Sequence, residues 1–245
     1  MPLILPPLKA PIWSKQFLLI GLAPTGVTGF TAMGGNTNST GTFSSITTSE
    51  TSGIMSQNTS TAAINALCGT AGVRAAFCRG SVAGQFNGFR MFARVYYPDA
   101  SYNNTGASTG SRIFLGFTNQ SSTNSVASDD PAGSRCGFSR INVNGALTDT
   151  NWFVTTKDGL TEHREDTGIA FTVQHVYDFY MTCEPMGQAI SWEILDRTAD
   201  TSSSGILTTE LPPAATLLTF MHMLRTINAA ARAIGFQRFY VETGI

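Results

Sequence analysis

Three carboxylates, Glu162, Glu165 and Asp166, crowd into the polar run EHREDTG. Paired carboxyls are the machinery of retaining glycoside hydrolysis, which needs an acid and a nucleophile about 5–5.5 Å apart on one strand face. The spacing of these three is wrong for that, and no aromatic strand adjoins them. Glu193 and Asp196 follow in SWEILD. Their separation is odd, so an extended strand places them on opposite faces and they cannot converge. His163, His175 and His222 are scattered over different segments, and each reads as a lone structural or surface imidazole rather than part of a triad. There is no Walker loop. Asp129 and Asp130, with Asn119 and Asn124 nearby, offer oxygens of the kind that hold calcium. The plainer reading, an acidic turn before Pro131, is preferred. Trp152 could stack on a sugar ring, but it alternates with Val154, which points to the core, where Trp192 is also expected from its in-phase neighbours. The residues therefore nominate no catalytic, cofactor or metal site.

The cysteines give the same answer. Cys68, Cys78, Cys136 and Cys183 show no CxxC or Cys/His ligand spacing, which argues against zinc. Cys136 and Cys183 fall inside strand-like runs and read as small buried hydrophobes. Spacing alone does not establish a Cys68–Cys78 bridge.

The elements that must position these side chains are strands. In VYDFYMTC, Tyr177, Phe179, Met181 and Cys183 share one face, with Asp178 and Thr182 opposite. After the turn EPMGQ, Ile190, Trp192 and Ile194 fall in phase, with Ser191 and Glu193 opposite. Such period-two alternation marks sheets with one buried face, and Pro185 and Gly187 are hairpin punctuation. Lys157-Asp158-Gly159 closes a second hairpin after WFVTT. VRAAFC (73–78) reads as a short strand. In the longest run, Phe89, Met91, Ala93, Val95 and Tyr97 alternate with Arg90, Phe92, Arg94 and Tyr96. That run suits a central strand, and the arginines are expected on a solvated outer face. Ile113, Leu115 and Phe117 are in phase in the next strand. Polar loops occupy 101–111 and 119–133.

Only 13% of the 245 residues are charged and the net charge is −1, so nothing electrostatic favours nucleic acid or an anionic membrane. No apolar run reaches the ~18 residues of a membrane span. Residues 1–24 stand apart. Pro2, Pro6, Pro7 and Pro11 preclude a regular helix, while Leu3, Ile4, Leu5, Leu8, Ile12 and Trp13 are too apolar for a solvated tail. An extended arm lying against something else is expected, in preference to a signal peptide, whose apolar core here would be barely seven residues. Residues 25–245 are expected to form a single β-sandwich domain. Near the C-terminus we expect a strand at 216–226, a helical or irregular turn at 228–233, and a closing strand at 236–242.

About a dozen strands with long polar loops and no repeat point to an all-β, two-sheet antiparallel jelly roll. The order IFLGFTN, CGFSRI, WFVTTKDG, EDTGIAFT, VYDFYMTCEPMGQAISWEILDR and FQRFYVE resembles the concanavalin A-like lectin/glucanase modules of tailed-bacteriophage tail, fibre and receptor-binding proteins. The resemblance spans residues 85–243 and rests on structural motifs, none catalytic. It implies a non-enzymatic virion protein that binds a host-surface glycan through its loops. The alternatives are a capsid decoration or head-fibre protein, and a secreted carbohydrate-active module. It also implies other virion proteins as partners of the arm, and a homotrimer, because such fibres are commonly three-fold.

Overall fold

The computed structural model describes residues 19–21, 30–32, 42–47, 54–59, 67–72, 77–97 without 81 and 84, 111–120, 131–143 without 132, 147–226, 229 and 232–244. Among them there is no helix. They form seventeen strands: β1 (Leu19–Gly21), β2 (Phe30–Ala32), β3 (Thr42–Thr47), β4 (Ile54–Thr59), β5 (Leu67–Gly72), β6 (Phe77–Cys78), β7 (Phe86–Tyr96), β8 (Ser111–Thr118), β9 (Arg135–Val143), β10 (Leu147–Thr148), β11 (Asn151–Lys157), β12 (Glu162–Ala170), β13 (Val176–Cys183), β14 (Ile190–Asp196), β15 (Thr201–Leu207), β16 (Thr219–Thr226) and β17 (Ala233–Gly244).

Two sheets result. One has nine strands in the order β15-β14-β13-β7-β17-β4-β3, with β1 added on β17 and β6 on β7. The other has eight, in the order β12-β11-β9-β8-β16-β5-β2, with β10 added on β9. Pairing is antiparallel throughout, except for β6 beside β7. The two halves of the chain interleave. The last strand, β17, lies between β7 and β4, and β16 lies between β8 and β5.

The alternation seen in the sequence sets the core. Phe89, Met91, Ala93, Val95 and Tyr97 are all buried, as are Tyr177, Phe179, Met181 and Cys183 on the neighbouring strand. Ile113, Leu115 and Phe117 come to meet them from the other sheet. Ring contacts bridge the layers: Phe89 to Phe117 at 4.2 Å, Phe138 to Phe179 at 4.9 Å and Trp152 to Phe179 at 4.9 Å between centroids. Trp192 meets Phe138 edge-on and is 4% exposed, and Trp152 is fully buried. Both tryptophans are thus core, as their in-phase neighbours require. Burying each such large side chain contributes about 1.5–3 kcal/mol.

The two hairpins read from turn residues form as expected, β11–β12 and β13–β14. In the second, Met186 rather than the glycine takes the left-handed backbone, at φ 60. Gly187 is needed for closeness, because a Cβ there would sit 2.7 Å from the Glu184 carbonyl oxygen. The C-terminal strands differ at their margins. The first begins at Thr219, not 216, and the last runs from Ala233, so the expected helical turn at 228–233 gives way to strand by 233. Alanine's helical preference is weak beside a sheet edge that needs a partner. Of the strand expected at 73–78, Phe77 and Cys78 form β6, and 73–76 lie outside the described residues. Cys78 is a free, buried thiol, as are Cys136 and Cys183. Of the arm expected at 1–24, Leu19–Gly21 pairs with Phe239–Val241 in the nine-stranded sheet, and the rest lies outside the described residues.

Candidate functional site on the outer face of the nine-stranded sheet

Residues that point away from the core on β7, β13, β14 and β15 form three parallel rows, fixed by strand register. One row is Arg94, Asp178, Leu195 and Ser202; the next is Phe92, Tyr180, Glu193 and Ser204; the third is Arg90, Thr182, Ser191 and Ile206. Neighbours within a row sit about 4.8 Å apart, the inter-strand spacing.

The first row corrects the expectation of solvated arginines. Asp178 is 1% exposed, and the Arg94 guanidinium donates to both of its oxygens, Nε to Oδ1 at 2.5 Å and Nη2 to Oδ2 at 2.7 Å. Arg197 adds a longer contact at 3.3 Å. A buried carboxylate needs such paired donors, so Arg94 is fixed, and its own pKa is raised by the bond to Asp178.

In the second row, the Phe92 and Tyr180 rings lie 4.9 Å apart, half-buried on a face where alternation leads one to expect polar groups. Burial, then the Asp178 charge, raises the Tyr180 pKa. The same two causes in the same order raise that of Glu193. Glu193 Oε1 is buried and accepts no hydrogen bond from the described residues.

The outer face of the eight-stranded sheet is built differently. Arg135 meets Glu162 at 2.7 Å and Thr155 donates to the same carboxylate at 3.0 Å. Arg164 lies over the Phe153 ring at 4.3 Å and meets Asp149 at 2.6 Å, and Asp149 also accepts from the Ile141 amide. Asp149 is buried and paired within the chain, while Glu162 takes its partners on Oε1 and stays exposed.

The acidic run is divided as an edge strand divides it. Glu162 and Asp166 share a face with Arg164, while His163 and Glu165 fall on the other, 3.9 Å apart. Glu193 and Asp196 also part company. Asp196 turns inward to His175 at 2.7 Å and accepts from the amides of Thr198 and Ala199, which closes the turn after β14. His222 is buried in the core beside Tyr97. Asn119 is exposed at the end of β8, whereas Asn124, Asp129 and Asp130 lie outside the described residues.

Ser111 and Thr118 lie at opposite ends of β8, and residues 98–110 and 121–130 of the two polar loops lie outside the described residues. At the Thr118 end, Leu160 is 91% exposed on the tip of the β11–β12 hairpin, held by Asp158 Oδ1 accepting from the Leu160 and Thr161 amides.

Comparison with solved structures agrees along the whole chain. A protein of unknown function from Shewanella oneidensis MR-1 superposes with a TM-score of 0.63 at 11% identity, covering 96% of this chain and 89% of that one. Peanut lectin follows with a TM-score of 0.60 at 10% identity, over 94% and 98%. The fold is the lectin jelly roll. The CBM2 module of an evolved Dit protein from Lactobacillus casei BL23 phage J-1 shares it, with a TM-score of 0.56 at 14% identity over 94% and 95%. No protein-family model and no curated protein matches the sequence. On this sandwich, the sequence signal that marks the candidate face is the alternation of Arg90, Phe92, Arg94 and Tyr96 with the apolar set. Asp178, noted only as the polar phase of its strand, is the residue that sequence reasoning missed, and Glu193 was weighed there only as a partner for Asp196.

Proposed function

We propose that this chain is a non-catalytic carbohydrate-binding module of a bacteriophage virion, of the tail or fibre type, that recognises a glycan on the host surface. The observation that carries this reading is the end-to-end correspondence with a phage carbohydrate-binding module and with lectins, each covered nearly whole. The distribution of carboxylates supports a binding role over hydrolysis. Asp178 is locked between guanidiniums, Asp149 and one oxygen of Glu162 are held by arginines, and Glu193 and Asp196 face opposite ways.

In the same reading, the part of the 1–24 arm that precedes Leu19 serves assembly, docking on a neighbouring subunit of a trimer or on another virion protein, while Leu19–Gly21 belongs to the sheet. The prolines lower the entropy cost of ordering such an arm.

A glycan array spanning bacterial envelope polysaccharides tests the proposal. Specific retention of one glycan class, with no release of reducing sugar on prolonged incubation, is the expected result. Release of sugar that is abolished by changing Glu162, Glu165 or Glu193 would make the protein a hydrolase instead.

A further inference from the structure

Among the described residues three large apolar side chains are exposed, Leu160 at 91%, Met186 at 61% and Ile206 at 64%. Register brings all three to one end of the sandwich. Leu160 tips the hairpin after Lys157, which is level with Arg135 and Thr118. Met186 tips the hairpin after Cys183, which is level with Phe89. The Phe89 ring meets that of Phe117, next to Thr118, across the core at 4.2 Å. Ile206 stands one residue from the end of β15, beside Ser191.

A braced segment joins the two tips and adds the exposed Pro213, Ala214 and Ala215. Thr156 Oγ1 donates to the Thr209 carbonyl at 2.9 Å, and the Gly80 amide donates to that of Ala214 at 2.7 Å. The Arg79 guanidinium donates to the carbonyls of both Pro212 and Gly187. Met186 keeps an apolar side chain on a left-handed backbone that favours glycine.

The N-terminal segment enters the fold at this same end. Leu19 pairs with Val241, which is level with Met91, and Gly21 pairs with Phe239, which is level with Ala93. The chain therefore comes into β1 from the Phe89 side.

We infer that this apolar end, with Leu160, Met186 and Ile206 at its centre, is the docking site for residues 1–18 of a second copy of the chain. The inference rests on the assembly reading of the arm and gives the arm its seat. Leu3, Ile4, Leu5, Leu8, Ile12 and Trp13 supply the complementary apolar surface, and its removal from water drives such docking. Charge agrees. The only charged side chains in residues 1–18 are Lys9 and Lys15. The described turns at this end carry Asp158, Glu184 and Glu210 against Arg79, with Lys157 at the end of β11. The chain by itself leaves Leu160 and Met186 open, so the occupant comes from a second copy. Eighteen extended residues reach about 60 Å, whereas β1 lies only three inter-strand steps, about 14 Å, from β13.

Light scattering and acrylamide quenching on the full chain test this. Trp13 is the reporter, read as the difference from Trp13→Phe, because Trp152 and Trp192 are core. Leu160→Asp/Met186→Asp alters two exposed side chains and should keep the near-ultraviolet signal. It is expected to expose Trp13 to the quencher and to raise the concentration at which chains assemble about ten-fold or more. Ser202→Asp, exposed near the other end of β15, should change neither. If deleting residues 2–16 dissociates the assembly but the double substitution alters neither mass nor quenching, this docking site is wrong and the assembly reading stands. A monomer whose Trp13 is shielded until the tips are changed carries its arm on its own chain, which overturns the second copy as occupant. Assembly that survives the deletion but not the double substitution overturns the arm as occupant. If the unaltered chain is monomeric with Trp13 fully quenched, the reading and the site fall together.

Discussion

The Tyr97 hydroxyl lies 3.2 Å from Nε2 of His222, a contact that joins the two sheets through the interior. Its setting makes the histidine a liability in acid. Burial pulls the His222 imidazole from 6.5 down to about 3. A folded-state pKa below the unfolded value means that the unfolded chain takes up the proton first. Stability is therefore intact above about pH 6.5 and is lost progressively as the pH falls toward 3, by up to about 1.4 kcal/mol per pH unit. Urea midpoints measured between pH 7.5 and pH 4 should show this decline. A Tyr97→Phe/His222→Leu double variant, which removes both polar partners, should flatten it; an unchanged slope would locate the acid sensitivity in another group.

The Arg94–Asp178 pair predicts an asymmetry between two arginines. Arg94→Ala leaves a carboxylate that is 1% exposed without its bidentate partner, and is expected to cost about 3–5 kcal/mol. Arg197 makes only the 3.3 Å contact from a side chain that is 47% exposed, and Arg197→Ala should cost less than about 1 kcal/mol. Replacing both members of the main pair, as Arg94→Met/Asp178→Leu, should recover most of the loss. Equal effects from the two single substitutions would contradict this account of the face.

Gly205 and Trp192 make a third test. A Cβ at Gly205 would sit 2.7–2.9 Å from atoms of the indole, so Gly205→Ala is expected to destabilise by about 1–3 kcal/mol through overpacking. Trp192→Ala should cost about 3–5 kcal/mol. Because the two sites touch, the double variant should cost less than the sum. Additivity in guanidinium melts would mean that the indole has room to move.

The alternation of large apolar residues made the sandwich legible before any coordinates. Phe89 through Tyr97, Tyr177 through Cys183 and Ile190 through Ile194 each bury the face their phase indicates. The order of strands was not legible, because β17 inserts between β7 and β4 by pairings that span most of the chain, and nothing local encodes them. The candidate face was hidden for a related reason. Asp178 reads as an ordinary outward-facing residue of β13 until register sets it opposite Arg94, and Glu193 until register sets it opposite Tyr180. The start of one strand at Thr219 and of the next at Ala233 was not legible, because alanine and leucine near them satisfy helical spacing as well as strand alternation, and only the paired edge decides between them.

For the N-terminal segment, deletion of residues 2–16 should leave the sandwich folded, with its near-ultraviolet signal retained, while lowering the mass seen by light scattering from trimer toward monomer. Identical monomeric masses for the full and truncated chains would remove the assembly role. The deletion stops short of Leu19–Gly21, whose pairing with β17 belongs to the sheet.

Among the described residues, the buried free thiols Cys78, Cys136 and Cys183 draw on both sheets. Burial raises all three pKa values, that of Cys183 to about 12. Alkylating agents consume thiolate, so none of the three is reactive while the layers remain apposed. The native protein thus carries its own stopwatch for layer separation: the rate at which each sulfur is trapped reads the frequency with which its part of the structure breathes. Cys136 on β9 and Cys183 on β13 would tick together if the sheets part as a unit, and separately if one sheet loosens first.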